Sequence, residues 1–253
     1  MNDGRDEIDP TKRFSSRARH YAKYRPDYPV AIIKLLTGDV GLTPASIVAD
    51  IGSGTGILSE LFLRNGNVVF GVEPNREMRA AAERLLGGWP AFHSIDGMAE
   101  ATTLADDSVD GVVAGQAFHW FDSKRAVLEF KRIARPGGFV ALVWNERRND
   151  ASAFMADYER LVRTFGSERD PLPFDVLKAM FGQNLRRATF PHAQQLDRQG
   201  LLGRLLSSSY LPLPGHISYE QMISGSHDMF DRNQLQGLVT IQYETRVFFG
   251  PLM

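Results

Sequence analysis

The chain of 253 residues contains no cysteine. Disulfides, thiolate metal sites and a cysteine nucleophile are excluded together, and the composition suits a reducing compartment. Long apolar runs are missing too: no stretch approaches the roughly 18 residues that a membrane-spanning helix requires. The opening MNDGRDEIDPTKRF is polar and acidic where a secretory signal needs an apolar stretch, so a cytoplasmic location is expected. Excess charge is also lacking. The 29 Lys and Arg stand against 30 Asp and Glu, a net of −1. No global field draws such a chain to nucleic acid or to an anionic membrane, and neither is expected as a partner. Apart from His119, the histidines (His20, His93, His192, His216 and His227) show no close pairing at ligand spacing, which predicts no metal site.

What is present reads as one embellished α/β domain, since folds of this class often reach such a length as a single unit. The segment to about Asp9 reads as a mobile end. From Lys12 to Arg25 six basic residues and no acids are interleaved with Phe14, His20, Tyr21 and Tyr24. That stretch is either a solvated helix face or a basic, aromatic flap over a site that holds a carboxylate or phosphate. Strand and helix then alternate. Ser46–Gly52, Asn67–Glu73, Ala91–Gly97, Val109–Ala117 and Phe139–Asn145 are apolar strand candidates. Between them lie helical stretches at Gly56–Asn65, from an Asn75 cap to about Leu86, and at Ser123–Ala134, the last ended by Pro136-Gly137-Gly138. Such alternation predicts a parallel sheet with helices on both faces. Residues 147 to about 183 hold two helices, Ala188–Leu196 a sixth strand, and Leu201–Leu206 and Tyr219–Phe230 two further helices. Leu238–Phe248 alternates apolar and polar residues, the pattern of a half-buried antiparallel strand.

The chemistry is concentrated in VADIGSGTGILSELF (Val48–Phe62): a strand, a glycine turn and the start of a helix. Gly52, Gly54 and Gly56 let the backbone approach a ligand, and the helix N-terminus behind them offers unpaired N–H groups. A dinucleotide site calls for G-x-G-x-x-G, whereas the spacing here is G-x-G-x-G with Asp50 two residues before the first glycine. An acid is unhelpful beside a pyrophosphate but suits an ammonium group. Glu73, at the end of the next strand, stands where a carboxylate accepts hydrogen bonds from both ribose hydroxyls. A ligand with a free ribose and an amino-acid end is S-adenosylmethionine. The residues leave two alternatives open. One is an NAD-dependent oxidoreductase, which needs the other glycine spacing; the other is a protein that binds S-adenosylmethionine without transferring its methyl group.

DIGSGTG, GVEPNREM, GMAEATTLADDSVDGVVAGQAFHWFD and RIARPGGFVALVWNE resemble the successive motifs of class I S-adenosylmethionine-dependent methyltransferases. More narrowly, they are similar to the methyltransferase type 11 group that includes trans-aconitate-methyltransferase-like proteins. The likeness spans about residues 10 to 148; RPDYP, LLSSSYLP and YETRVFFG also fit it. It implies a Rossmann-like, seven-stranded, mostly parallel sheet whose last strand is antiparallel. Residues 10–146 would form the cofactor-binding core with its N-terminal flap, 147–235 a helical substrate cap inserted after strand five together with the sixth-strand region, and 236–253 the final antiparallel strand.

The resemblance also implies roles. Asp50, Gly52, Ser53, Gly54, Gly56, Glu73 and Pro74 would hold the cofactor, with Met98, Ala99 and Glu100 at its adenine. Many relatives carry an acid at the position of Met98; here Met98 would pack on the ring and the Ala99 backbone would supply the polar contact. Gln116 would lie beside the methionine part, and Tyr21 or Arg25 would reach its carboxylate, although Arg25 also fits an ordinary surface arginine. In AFHWFD, His119 is either a general base or a histidine satisfied by the backbone; Trp120 and Phe121 either wall the acceptor off from water or belong to the core. Trp144, Asn145, Arg147 and Arg148 stand where the fifth strand empties into the site, and Arg147 or Arg148 would hold a carboxylic acid unless both are solvated or paired with Glu146 and Asp150. The expected acceptor is a small molecule, methylated on the oxygen of a carboxylic acid or hydroxylated metabolite.

Overall fold

The computed structural model describes residues 17–167 and 174–252, so the expected mobile end, Lys12 and Phe14 lie outside the described residues. Strands β1 (Ile47–Ile51), β2 (Val68–Val72), β3 (Phe92–Ile95), β4 (Val109–Gly115), β5 (Ala134–Arg147), β6 (Arg186–Leu196) and β7 (Val239–Pro251) form one sheet in the order β3-β2-β1-β4-β5-β7-β6. Only β7 runs against its neighbours, pairing antiparallel with both β5 and β6.

Side chains of successive strand residues point to opposite faces, and the central strands are apolar on both. Val48, Val113, Ala141 and Val143 therefore face one core, while Ala49, Val112, Leu142 and Trp144 face the other. The first core is covered by α2 (Ala31–Val40) and α3 (Ile57–Arg64), through Ile32, Leu36, Leu58 and Phe62, with Leu86 from the end of α4 (Arg76–Leu86). The second is covered by α5 (Ser123–Ile133) and α7 (Phe174–Phe181), through Phe130, Ile133, Leu177 and Phe181. The expected Asn75 cap is present: its side chain accepts from the Met78 N–H at 3.0 Å.

A third core builds the cap. α6 (Ala153–Phe165), α8 (Arg198–Leu206) and α9 (Tyr219–Asn233) pack Met155, Tyr158, Leu205 and Met229 against Leu196, Ile241 and Tyr243 at the ends of β6 and β7. The cap is thus not every helix after the fifth strand, because α7 lies against the sheet. α1 (Ala18–Tyr24) docks on this cap. Arg17, only 5% exposed, donates to the carbonyls of Leu206, Ser208 and Leu211, and Arg25 donates to that of Ser207 at 2.9 Å. Arginines at both ends of α1 so grip the chain leaving α8, where carbonyls lack helical partners. The described part of the basic stretch, residues 17–25, is a docked segment rather than a solvated face.

Two boundaries differ from the sequence pattern. Pro136-Gly137-Gly138 does not separate helix from strand: α5 ends at Ile133 and β5 begins at once. The pairing passes from Val109–Ala134 directly to Gly111–Phe139, so the Pro-Gly-Gly residues loop out within the strand. β6 starts at Arg186, and its Pro191 is tolerated because β6 is an edge strand.

The docking of α1 leaves no room at Gly203 on α8. A Cβ there would sit 2.2 Å from the ring of Tyr24. Gly203→Ala is expected to cost roughly 1–3 kcal/mol in chemical denaturation and to expose the 17–25 segment to proteolysis. Native stability and protection in this variant would show that α1 is not seated on α8.

Candidate functional site

The strand order reverses between β1 and β4, and the crevice at the carboxyl ends of those strands is where open α/β sheets bind ligands. β1 ends in Asp50 and Ile51, and the chain then turns through Gly52 (φ 66°), Gly54 (φ 58°) and Gly56 (φ 84°) into α3. All three are left-handed, a conformation glycine adopts without a Cβ clash. Packing tightens the requirement: a Cβ on Gly52 would lie 2.7 Å from that of Ala117, and one on Gly56 would lie 2.4 Å from Leu86. Gly56 is the N-cap of α3 and serves helix packing; unlike Gly52 and Gly54, it is not among the residues that line the two cavities described below.

Asp50 has no exposed surface. Its Oδ2 accepts from the Ser59 hydroxyl at 2.6 Å, while Oδ1 is buried and has no hydrogen-bond partner. Burial, helped by the nearby Glu73 carboxylate and opposed by Ser59, pushes the Asp50 pKa up to about 7. Asp50 lines a small cavity together with Tyr21, Arg25, Tyr28, Gln116 and Asn145.

That cavity shares Tyr21, Gly52, Gly54 and Gln116 with a larger, mainly apolar cleft that holds about 920 Å³ of empty space. Glu73, Pro74, Met78, Met98, Trp120 and Phe121 line the cleft. Glu73 is fixed by the turn: Oε2 accepts from the Gly54 N–H at 2.9 Å and Oε1 from the Asn75 N–H at 2.8 Å. Burial raises its pKa against those two bonds. A polar end with an unpaired carboxylate oxygen therefore opens into an apolar slot with a second, anchored carboxylate.

Comparison with known proteins agrees with this geometry. The family model for a methyltransferase domain of type 11 matches residues 49–142. An uncharacterized methyltransferase of Mycobacterium tuberculosis is 32% identical over 202 residues, which cover 80% of this chain and 79% of that protein. The chain belongs to this methyltransferase family. Its fold is that of class I methyltransferases. A type II methyltransferase of Anaeromyxobacter dehalogenans superposes with a TM-score of 0.66 at 23% identity, over 90% of this chain and 98% of that one. A methyltransferase from an antibiotic biosynthesis pathway of Anabaena variabilis gives 0.61 at 21% identity, over 91% and 99%.

The methyltransferase brings most of the expected residues together. Met98, 48% exposed, and buried Ala99 line the wide cleft, as does Glu100, whose Oε1 accepts from the Asp122 N–H at 2.7 Å. Ser53 lines the inner cavity. Gln116 holds a left-handed backbone (φ 57°) and donates from Nε2 to the Asn145 carbonyl at 3.1 Å. A non-glycine residue in that region is costly and marks functional sites. Arg25 lies with its guanidinium carbon 4.7 Å from the centre of the Tyr21 ring, and burial lowers its pKa.

His119 sits in a short 3₁₀ turn (Phe118–Trp120) beside Trp120, outside the residues that line the two cavities. Two expectations are corrected. Trp144 is 4% exposed and meets Phe248 edge-on; strand alternation turns it into the sheet's core. Arg147 does not reach the crevice. It donates to Glu159 of α6 and to the Tyr210 hydroxyl, both at 3.0 Å, within the cap. Its partner is therefore neither Glu146 nor Asp150.

Sequence reasoning missed Ser59 and Tyr28, while Asn145 lines the inner cavity at the end of the fifth strand as expected. Asn145 donates from Nδ2 to the Asp27 carbonyl at 2.9 Å and accepts from Thr245 at 2.6 Å, which ties the segment after α1 to β5 and β7. A serine inside the apolar run of α3 was the one legible signal.

The Asp50 carboxyl gives this site a pH dependence. Pairing with an ammonium group needs the ionised form, which predominates only above about pH 7 in the ligand-free protein. The affinity for S-adenosylhomocysteine is expected to rise about tenfold from pH 6 to 8, with proton release below pH 7. The ionised form is disfavoured on folding, so this carboxyl lowers stability progressively between about pH 4 and 7. Asp50→Asn is expected to raise the Tm of the ligand-free protein at pH 8 but not at pH 4, and to weaken S-adenosylhomocysteine binding. Calorimetry at the two pH values checks this, and a pH-independent affinity would contradict it.

Proposed function

We propose that the protein transfers a methyl group from S-adenosylmethionine to a small molecule, on the oxygen of a carboxylic acid or hydroxylated metabolite. The unpartnered, buried Oδ1 of Asp50 carries the cofactor half of this reading. A buried carboxylate oxygen without a partner is costly, and an ammonium group from the ligand relieves it. A pyrophosphate in its place would add like charge, which weighs against a dinucleotide.

Asp50 takes the amino group of the donor, with Tyr21 and Arg25 beside it at the carboxylate. Glu73 accepts from the ribose hydroxyls through the lone pairs that Gly54 and Asn75 leave open. Pro74, Met78 and Met98 flank the base. The sulfonium of the bound donor makes its methyl group electrophilic, so transfer is an in-line displacement. Tyr21, Trp120 and Phe121 then exclude water and hold the acceptor on the methyl axis, and positioning of this kind is worth roughly 7–11 kcal/mol in favourable cases.

Among the described residues, none that lines the two cavities is a histidine. This supports an acid acceptor, because a carboxylate is already ionised at neutral pH and needs no base. Buried arginines behind Tyr21 supply a field of the matching sign.

Methyl-labelled S-adenosylmethionine incubated with a panel of carboxylic acids, phenols and amines tests this reading. Label in base-labile esters, reduced at least tenfold by Trp120→Ala, is the expected result. Label confined to amines would contradict the oxygen acceptor. Binding of S-adenosylmethionine without turnover on any acceptor in a metabolite extract would instead favour a carrier or regulatory protein.

A further inference from the structure

With the amino-acid end of the donor at Asp50 and its ribose at Glu73, the base falls in the stretch of the wide cleft lined by Pro74, Met78, Met98, Ala99 and Glu100. Apolar walls hold a flat ring but do not tell one purine from another; a few placed polar groups do that. Two such groups are open here. Ala99 is 5% exposed, and its N–H has no hydrogen-bond partner among the described residues. Glu100 accepts through Oε1 from the Asp122 N–H at 2.7 Å, while its Oε2 has no partner among the described residues. Asn75 also lines the cleft, but its Oδ1 is engaged in the cap of α4.

Both open groups stand at the tip of one short turn. The N–H groups of Met98 and Ala101 each donate to the other's carbonyl at 3.1 Å, which closes the turn with Ala99 and Glu100 between them. Its base is pinned to α5: Glu129 Oε1 accepts from the Thr102 N–H at 2.7 Å and from the Thr102 hydroxyl at 2.6 Å. The entry is equally tight, since a Cβ on Gly97 would lie 2.7 Å from the Thr102 carbonyl oxygen. A carboxylate anchored at one oxygen and carried on a pinned turn has little left to order when a ligand arrives.

We propose that Glu100 sets the protein's preference for an adenine nucleoside: Oε2 accepts from the exocyclic amino group of the base, beside the Ala99 N–H, which donates to a neighbouring ring nitrogen. This rests on the reading of S-adenosylmethionine as the donor given above. Adenine presents a donor next to an acceptor on this edge. Hypoxanthine presents the reverse, a carbonyl next to a ring N–H, and its carbonyl would face the carboxylate with no proton between them. Hydrogen bonds to an ionised group are the stronger kind, and a site arranged to receive an amino group rejects an analogue that lacks it.

Glu100→Gln separates selection from support. The Asp122 N–H needs an acceptor, so glutamine keeps its carbonyl oxygen there and turns its amide nitrogen, a donor, toward the base. That nitrogen opposes an amino group and matches a carbonyl. Calorimetric titration of the full chain and of Glu100→Gln with S-adenosylhomocysteine and with S-inosylhomocysteine, its 6-oxo analogue, tests this. The native protein is expected to favour S-adenosylhomocysteine by at least about tenfold, and the variant to lose at least about tenfold of that preference. Equal affinity of the native protein for the two ligands would overturn the proposal. So would an unchanged ratio in the variant, including the case in which both ligands weaken alike, because that is the mark of a merely structural role. If the native protein binds neither ligand, the donor reading fails and the proposal falls with it.

Discussion

A carboxylate taken out of water at the end of β1 sets the terms for everything around it. Asp50 is held from one side by Ser59 of α3, and the turn that carries the chain from the strand to that helix is built of left-handed glycines. The same turn presents the Gly54 N–H to Glu73, so the two carboxylates of neighbouring strands are fixed by one piece of backbone. Desolvation alone would make such a pair a liability. On the proposed reading, a ligand brings an ammonium group to one carboxylate and hydroxyls to the other at the carboxyl ends of the central strands.

The cap carries the opposite imbalance. Arg25, Arg147 and Arg204 hold more positive charge than Glu159 answers, and the short helix α1 lies between this group and the crevice. Tyr21 belongs to both cavities, while Arg25 reaches from the inner cavity to the chain leaving α8.

The core of this arrangement was legible in the sequence because its signals are local. Apolar runs ending at Asp50 and Glu73, the G-x-G-x-G turn and the strict alternation of Val239, Ile241, Tyr243, Thr245 and Val247 each follow from backbone geometry over a few residues. What escaped depends on contacts between distant segments. Arg147 sits beside Glu146 in the chain, yet Glu159, one helix later, takes its charge. His119 has the chemistry of a base, yet in its 3₁₀ turn it is the neighbouring Trp120 that lines the wide cleft. Trp144 lies at the mouth of the site in sequence and on the wrong face of the strand in space. The Pro-Gly-Gly run has the composition of a stop, but here it loops out of a strand whose pairing continues on both sides.

The central claim is that Asp50 and Glu73 form a binding site for the amino-acid and ribose ends of S-adenosylmethionine. Calorimetric titration of the native protein and of Glu73→Ala with S-adenosylhomocysteine, and of the native protein with NADH, tests it most directly. One S-adenosylhomocysteine bound per native chain, an affinity at least about tenfold lower (roughly 1.4 kcal/mol) in the variant, and no heat from NADH are the results predicted. Binding of NADH in place of S-adenosylhomocysteine, or equal binding of S-adenosylhomocysteine by both proteins, would contradict the account.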